Sequence, residues 1–127
     1  MNNEAKAIAM VMDFHVAIEK WFCGEASLSA DQLLQYFSSD FEMTGAAGKT
    51  MNYQELAAWL PKAKGAKPGM VIRVSPPEVF STFCYTLVYY EETQEVGETL
   101  TTRRSSAIFR TEKYGLKWWR LTEEWIL

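Results

Sequence analysis

Cysteine is nearly absent from this 127-residue chain, which has only Cys23 and Cys84, far apart and in no CxxC pair. That excludes a disulfide framework and a thiolate zinc site, and both are expected to be small core residues. Histidine occurs once, as His15. No metal-ligand cluster, glycine-rich phosphate loop or Ser-His-Asp set is present. Basic residues are in deficit, with a formal net charge of −3, so the chain lacks the cationic face that phosphate contacts need and is not expected to bind nucleic acid. No apolar run approaches the roughly 20 residues of a membrane span. Glu4, Lys6 and Asp13 interrupt the N-terminal apolar residues, which is not a signal-peptide layout. The expectation is a cytoplasmic protein without membrane contact, metal or cofactor.

Apolar residues are plentiful, at 48% of the chain, and aromatics reach 14%. A full core is within reach of one domain spanning residues 1–127. Ala7, Val11, Phe14, Ile18, Trp21 and Phe22 recur at three- and four-residue intervals, which predicts a first helix from Glu4 to about Cys23, stopped by Gly24. His15 sits at the margin of this stripe. Ser29 stands three residues before Gln32, and Asn52 three before Glu55, each flanked by an apolar pair, Leu28 with Leu33 and Met51 with Leu56. These are capping boxes with hydrophobic staples. They predict helices from Ala30 to about Ser38 and from Tyr53 to about Lys64, the latter disturbed at Pro61. Between them, Phe41–Thr44 and Lys49–Met51 read as a short hairpin. Lys62, Lys64 and Lys67 follow, as a cationic helix end or an anion site.

From Met70 onward the pattern is strand: Met70–Val74, a long strand from Val79 to about Glu92, Thr99–Thr111 and Leu116–Ile126, with turns at Thr93–Gly97 and Lys113–Gly115. Alternate residues of a strand face opposite sides. Neither face of the long strand is wholly polar, since Tyr85, Leu87 and Tyr89 lie on one and Val88 and Tyr90 on the other. Three helices cover one face, and a second copy of the chain is expected to cover the other.

Register from the last turn sets Phe109 opposite Trp119, Ala107 opposite Leu121 and Ser105 opposite Glu123, with Arg103 diagonal to Glu123. Placing Tyr90 opposite Arg103 brings Glu92 to the same face. Tyr90, Glu92, Arg103, Ser105 and Glu123 then form a polar group rimmed by Trp59, Trp119 and Trp125. Charges on an apolar face need partners. Either Arg103 and Glu123 satisfy each other and set register, or they line a cavity that a ligand completes. His15 and Glu123 are the candidate acid or base groups; Asp40 and Glu42 are a weaker pair, with Glu42 facing away from the core.

The element order, with Leu34–Phe41 followed by Gly48, Tyr90-Glu91-Glu92, the run Arg103–Phe109 and the closing Trp118–Trp125, resembles the nuclear-transport-factor-two-like superfamily, in particular its small SnoaL-like domains. The resemblance implies an α+β cone of order ααββαββββ, a curved antiparallel sheet on three N-terminal helices in a cystatin-like roll. It also implies a pocket inside the cone and a homodimer across the sheet. Relatives include cofactor-free isomerases, cyclases and a dehydratase, and also assembly domains. The isomerases use a tyrosine and two aspartates inside the cone. This chain offers His15 from the first helix and no matching aspartate on the inner strands. The expected function is binding of a small apolar or anionic molecule, with isomerase-, cyclase- or dehydratase-like chemistry, or else an assembly or adaptor module with a filled pocket.

Overall fold

A computed structural model describes residues 2–25 and 28–126; Leu127, where the expected strand region ends, lies outside them. Helix α1 (Asn3–Cys23) starts where the Asn2 side chain accepts the Glu4 N–H, and it stops at Gly24 in the left-handed conformation, φ 78°. A side chain at that φ is strained, which is why glycine ends the helix. Both expected capping boxes are present. They open α2 (Ala30–Leu34) on Ser29 and Gln32, and α3 (Tyr53–Ala63) on Asn52 and Glu55. Helix α2 stops short of the expected Ser38. The Tyr36 carbonyl accepts the Trp118 N–H at 2.9 Å, and Phe37 enters a strand instead. Sheet pairing there outweighs helical periodicity. Helix α3 ends at Ala63, two residues past Pro61, and its Leu60 carbonyl accepts the Trp21 indole N–H at 2.8 Å.

The strands are β1 (Phe37–Thr44), β2 (Thr50–Asn52), β3 (Val71–Val74), β4 (Glu78–Ser81), β5 (Tyr85–Val96), β6 (Thr99–Glu112) and β7 (Gly115–Trp125). They form one curved sheet in the order β2-β1-β7-β6-β5-β3, with β4 also paired to β5. The α+β class and the helices-first order are as expected. Two features differ. The sheet is mixed, because β1 runs parallel to β7. And α3 is followed by five strands, since the single strand expected over Val79–Glu92 is a hairpin of β4 and β5. Its turn contains no Gly, Pro or Asn. Thr82 makes it instead: its hydroxyl donates to the Tyr85 carbonyl at 3.0 Å and accepts the Tyr85 N–H at 3.2 Å, a side-chain substitute for turn residues. Cys84 lies in this turn and is exposed, while Cys23 is half-buried; neither is a fully buried core residue. Strand β5 runs through the turn expected at Thr93–Gly97, and Gly97, at φ 59°, begins the two-residue loop to β6.

Registers in the last hairpin agree with expectation at Ala107–Leu121 and Ser105–Glu123, but Phe109 lies opposite Trp118, not Trp119. A bulge between Ile108 and Phe109 adds Trp119 as the extra residue, which a bulge leaves off the alternation. Trp118 is thereby buried with Phe109, Phe37 and Phe41. Trp119 turns to the outer face, against Tyr85 and under the Arg120 guanidinium 4.0 Å from its ring centre. Tyr90 lies opposite Ser105, and Glu92 opposite Arg103. This is a two-residue difference from the expected pairing, and it preserves which face each side chain occupies. Helix α1 packs against β3, β4, β5 and β7. It buries Ala7, Val11, His15, Ile18 and Phe22, so His15 is at the centre of the buried stripe and not at its margin.

The bulge makes adjacent tryptophans unequal. Trp118→Ala removes a sealed ring and is expected to cost about 3–5 kcal/mol in chemical denaturation, as large aromatic deletions do. Trp119→Ala is expected to cost distinctly less. The opposite ranking would mean that Trp119 is the inward residue.

Candidate functional site

Between α1, α3 and the inner face of the sheet lies a cavity of about 460 Å³. Its walls are apolar: Phe14, Phe22, Phe41, Trp59, Leu60 and Trp118 face it. Its floor is polar, and every strand of the long meander contributes. Tyr90, Glu92 and Gln94 come from β5, Arg103 from β6, Glu123 and Trp125 from β7, and His15 from α1. Lys49 and Lys67 also line it and are exposed. Of the residues expected to line a site, Trp59, Tyr90, Glu92, Arg103, Glu123, Trp125 and His15 are brought together. Ser105 is fully buried behind them, with a hydroxyl that has no partner among the described residues. Trp119 is on the other face, and Trp118 takes its place. Two adjacent tryptophans offer no local signal for which turns inward. Gln94, Phe14 and Lys49 are lining residues with no expectation attached to them, and Lys67 belongs to the lysine group read as a cationic helix end or an anion site; the period-two alternation from Glu92 could have found Gln94. Asp40 and Glu42 lie outside the cavity. Asp40 pairs with Arg110 at 3.1 Å, and Glu42 is exposed, facing away from the core as expected.

The floor's hydrogen bonds set its charge. His15 Nδ1 lies 2.6 Å from the Val11 carbonyl oxygen, and Nε2 lies 3.1 Å from Glu92 Oε1. A carbonyl can only accept, so Nδ1 carries hydrogen. Nε2 then bridges to a carboxylate oxygen only if one proton lies between them. Two placements of that proton satisfy the distances, and the directions in which the partners shift each other, His15 up and Glu92 down, favour the imidazolium–carboxylate pair. Gln94 Nε2 donates to the other Glu92 oxygen at 2.7 Å. Burial opposes both charges, but each partner overcomes it: Glu92 and the Val11 carbonyl raise the His15 pKa above 6.5, and His15, Gln94 and Arg103 lower that of Glu92.

Arg103 and Glu123 are held more loosely. Arg103 Nη1 stands 3.6 Å from Glu123 Oε1, and Nη2 stands 3.5 Å from Thr101 Oγ1. Its Nε is sealed from water and has no acceptor among the described residues. The guanidinium lies over the Trp125 ring, 4.8 Å from its centre. Burial and the nearby Glu92 charge raise the Glu123 pKa against the opposing pull of Arg103 and His15. Burial, with the Glu92 and Glu123 charges, pushes the Tyr90 phenol well above its ordinary value. Chemically the floor thus offers a neutral phenol donor, a fixed ion pair, an under-bonded guanidinium and one carboxyl poised to take a proton.

The same backbone occurs in solved structures. An NTF2-like protein of unknown function from Pseudomonas aeruginosa superposes with a TM-score of 0.89 at 23% identity, over 95% of this chain and 98% of that one. The chain has the NTF2-like fold. A candidate ketosteroid isomerase from Parabacteroides distasonis matches at a TM-score of 0.73 and 8% identity, over 98% of this chain and 89% of that one. A candidate calcium/calmodulin-dependent kinase II association domain from Exiguobacterium sibiricum matches at 0.70 and 16%, over 100% and 98%. Further NTF2-like chains share the backbone, and two Nostoc punctiforme proteins that match are described as having a cystatin-like fold. No protein-family model and no curated protein matches the sequence. Among the described residues, no helix is long and apolar enough to cross a membrane.

In this NTF2-like chain the His15–Glu92 pair makes stability depend on pH with a defined sign. A histidine whose folded pKa is raised contributes stability fully below 6.5 and loses it as pH rises through the folded value. Glu92, lowered from 4.5, contributes stability above that value and loses it as pH falls through its folded pKa. The contribution of His15 is therefore expected to decline from pH 6.5 upward, and His15→Gln to flatten that part of the pH profile. Nitrogen NMR is expected to find both ring nitrogens of His15 protonated above pH 6.5. A neutral ring at pH 6.5 would contradict the ion pair.

Proposed function

We propose that this chain binds a small, largely apolar molecule carrying one polar or anionic group, inside the cone. The observation that supports this most is an aromatic-walled cavity of about 460 Å³ that ends at a half-buried arginine whose guanidinium makes no polar contact shorter than 3.5 Å among the described residues. Buried polar groups are ordinarily hydrogen-bonded, and a ligand group would complete Arg103. The aromatic walls, Trp59 and Trp118 among them, take the apolar body. A filled cone would have favoured a purely structural module; the open volume favours a ligand.

The floor also suits a cofactor-free proton transfer of the isomerase, cyclase or dehydratase type. Tyr90, kept protonated, would donate to a substrate carbonyl oxygen. With an uncharged substrate, which leaves Glu123 ionised, that carboxylate would take a proton from the adjacent carbon and return it elsewhere on the substrate, its raised pKa bringing it closer to working pH. His15 is less suited to that role, because both its nitrogens are engaged. It would hold Glu92 in place.

The outer sheet face supports a homodimer. Phe80 is 57% exposed and Tyr89 37%, their rings meeting edge to face at 5.9 Å. Leu87 and Ile108 are neighbours across β5 and β6. Exposed apolar side chains grouped in this way favour an interface. Sedimentation is expected to give a dimer, and Leu87→Arg a monomer with the cavity intact. A monomeric wild type at micromolar concentration would end the dimer reading.

Binding is tested by thermal shift with small carboxylates, steroids and aromatic polyketides on the wild type and Arg103→Ala. A ligand at 100 times its dissociation constant adds about 2.7 kcal/mol. Carboxylate hits are expected to be lost in Arg103→Ala. Silence across the panel would leave only the assembly reading.

A further inference from the structure

The charges on the cavity floor cancel in pairs. His15 with Glu92 is one neutral couple, and Arg103 with Glu123 is the other. Lys49 and Lys67 line the cavity from solvent-exposed positions, where screening weakens their pull on the floor, so a ligand that sets a negative charge on the floor itself would leave a poorly compensated charge there, which is costly. One carboxylate must give up its charge for the anion to stay. The geometry decides which. Glu92 is held at 3.1 Å by His15 and at 2.7 Å by Gln94, whereas the nearest cationic atom to Glu123 is 3.6 Å away. Glu123 is the carboxylate that yields.

Resting on the ligand-binding reading above, we propose that the cavity takes its ligand as a monoanion together with one proton: the ligand's carboxylate or sulfonate replaces Glu123 at Arg103, and Glu123 becomes a neutral carboxylic acid. The protonated carboxyl then serves as a hydrogen-bond donor beside the bound anion. The ligand class follows from the charge count. A monoanion with an apolar body leaves the floor neutral. A dianion would need a second proton, and the other carboxylate among the described lining residues, Glu92, is already committed. The groups that face Glu123 are His15 from α1, Tyr90 and Glu92 from β5, and Arg103 from β6. Lys49 and Lys67 also line the cavity and are exposed. The raised Glu123 pKa agrees with this order of protonation.

The test uses two fluorescent probes of similar shape: 1-anilinonaphthalene-8-sulfonate, whose sulfonate stays ionised throughout, and N-phenyl-1-naphthylamine, which lacks the sulfonate. Mutual displacement places both in one cavity. Calorimetry between pH 6 and 8, in buffers of different ionisation enthalpy, counts the protons taken up. The sulfonate is expected to bind with close to one proton, its affinity falling about tenfold per pH unit above the Glu123 pKa, by linkage. The neutral probe is expected to bind with none. In Glu123→Gln the sulfonate is expected to bind without proton uptake and without pH dependence, more tightly than to wild type at pH 8. Sulfonate binding to wild type without proton uptake, while the neutral probe also binds, would overturn the coupling and spare the ligand-binding reading. Uptake that persists in Glu123→Gln would assign the proton to another group and overturn it equally. Failure of both probes to bind would remove the ligand-binding reading and the coupling with it. The wild-type proton count stands whether or not the variant folds.

Discussion

Charge neutrality inside an aromatic shell is the constraint on which the rest of this structure depends. Two acids and two bases meet where α1 crosses the curved sheet, and none is well solvated. Each must be neutralised by another, because an isolated buried charge is too costly to persist. That requirement ties α1 to β5 through His15 and Glu92, and β6 to β7 through Arg103 and Glu123. It favours the imidazolium form of the histidine, because Glu92 raises the His15 pKa and is itself lowered in return. It also leaves an asymmetry. One couple is short and reinforced by Gln94; the other is long and leaves the Arg103 Nε without an acceptor. A tight couple holds the helix in place, and a loose couple is available to a ligand.

A single extra residue governs the walls around that floor. The bulge in β7 breaks the two-residue alternation between Trp118 and Leu121, so both face inward although their positions differ by an odd number. Trp118 closes the cavity against Phe109 and Phe37. Trp119 goes outward, between the guanidinium groups of Arg110 and Arg120. Bulges bend a strand and increase its twist. The same local irregularity that chooses the inward tryptophan thus also helps to curve the sheet over α1. The parallel contact of β1 with β7 extends this curved surface, and it draws Phe37 and Phe41 into the aromatic wall.

The two faces of the sheet consequently carry different chemistry on the same strands. On β5, Val88, Tyr90 and Glu92 are buried inside, while Leu87 and Tyr89 are presented outside. The inner set is suited to recognising one small molecule in a place screened from bulk water. The outer set presents apolar side chains to solvent. Solved structures of this fold include a candidate isomerase and a candidate association domain, so the backbone is compatible with either use, and the site's own residues have to argue for one.

Local signals in the sequence determined the helices: Asn52 with Glu55, Ser29 with Gln32, and Gly24 act within one turn of chain, and each stands where its spacing placed it. The face of Tyr90, Glu92, Arg103 and Glu123 was equally legible, because alternation is a local rule and a two-residue error in register leaves it unchanged. Other features had no local signature. The end of α2 was decided by the Tyr36 carbonyl meeting Trp118, some eighty residues away along the chain. The Thr82 turn relies on a hydroxyl that only the paired strands bring into position. Which of Trp118 and Trp119 turns inward depends on a bulge that two identical neighbouring residues cannot announce. The central burial of His15, and with it the unequal strength of the two ion pairs, arose only when a helix and three strands converged, because charge compensation is a property of distances in space and not of spacing in sequence.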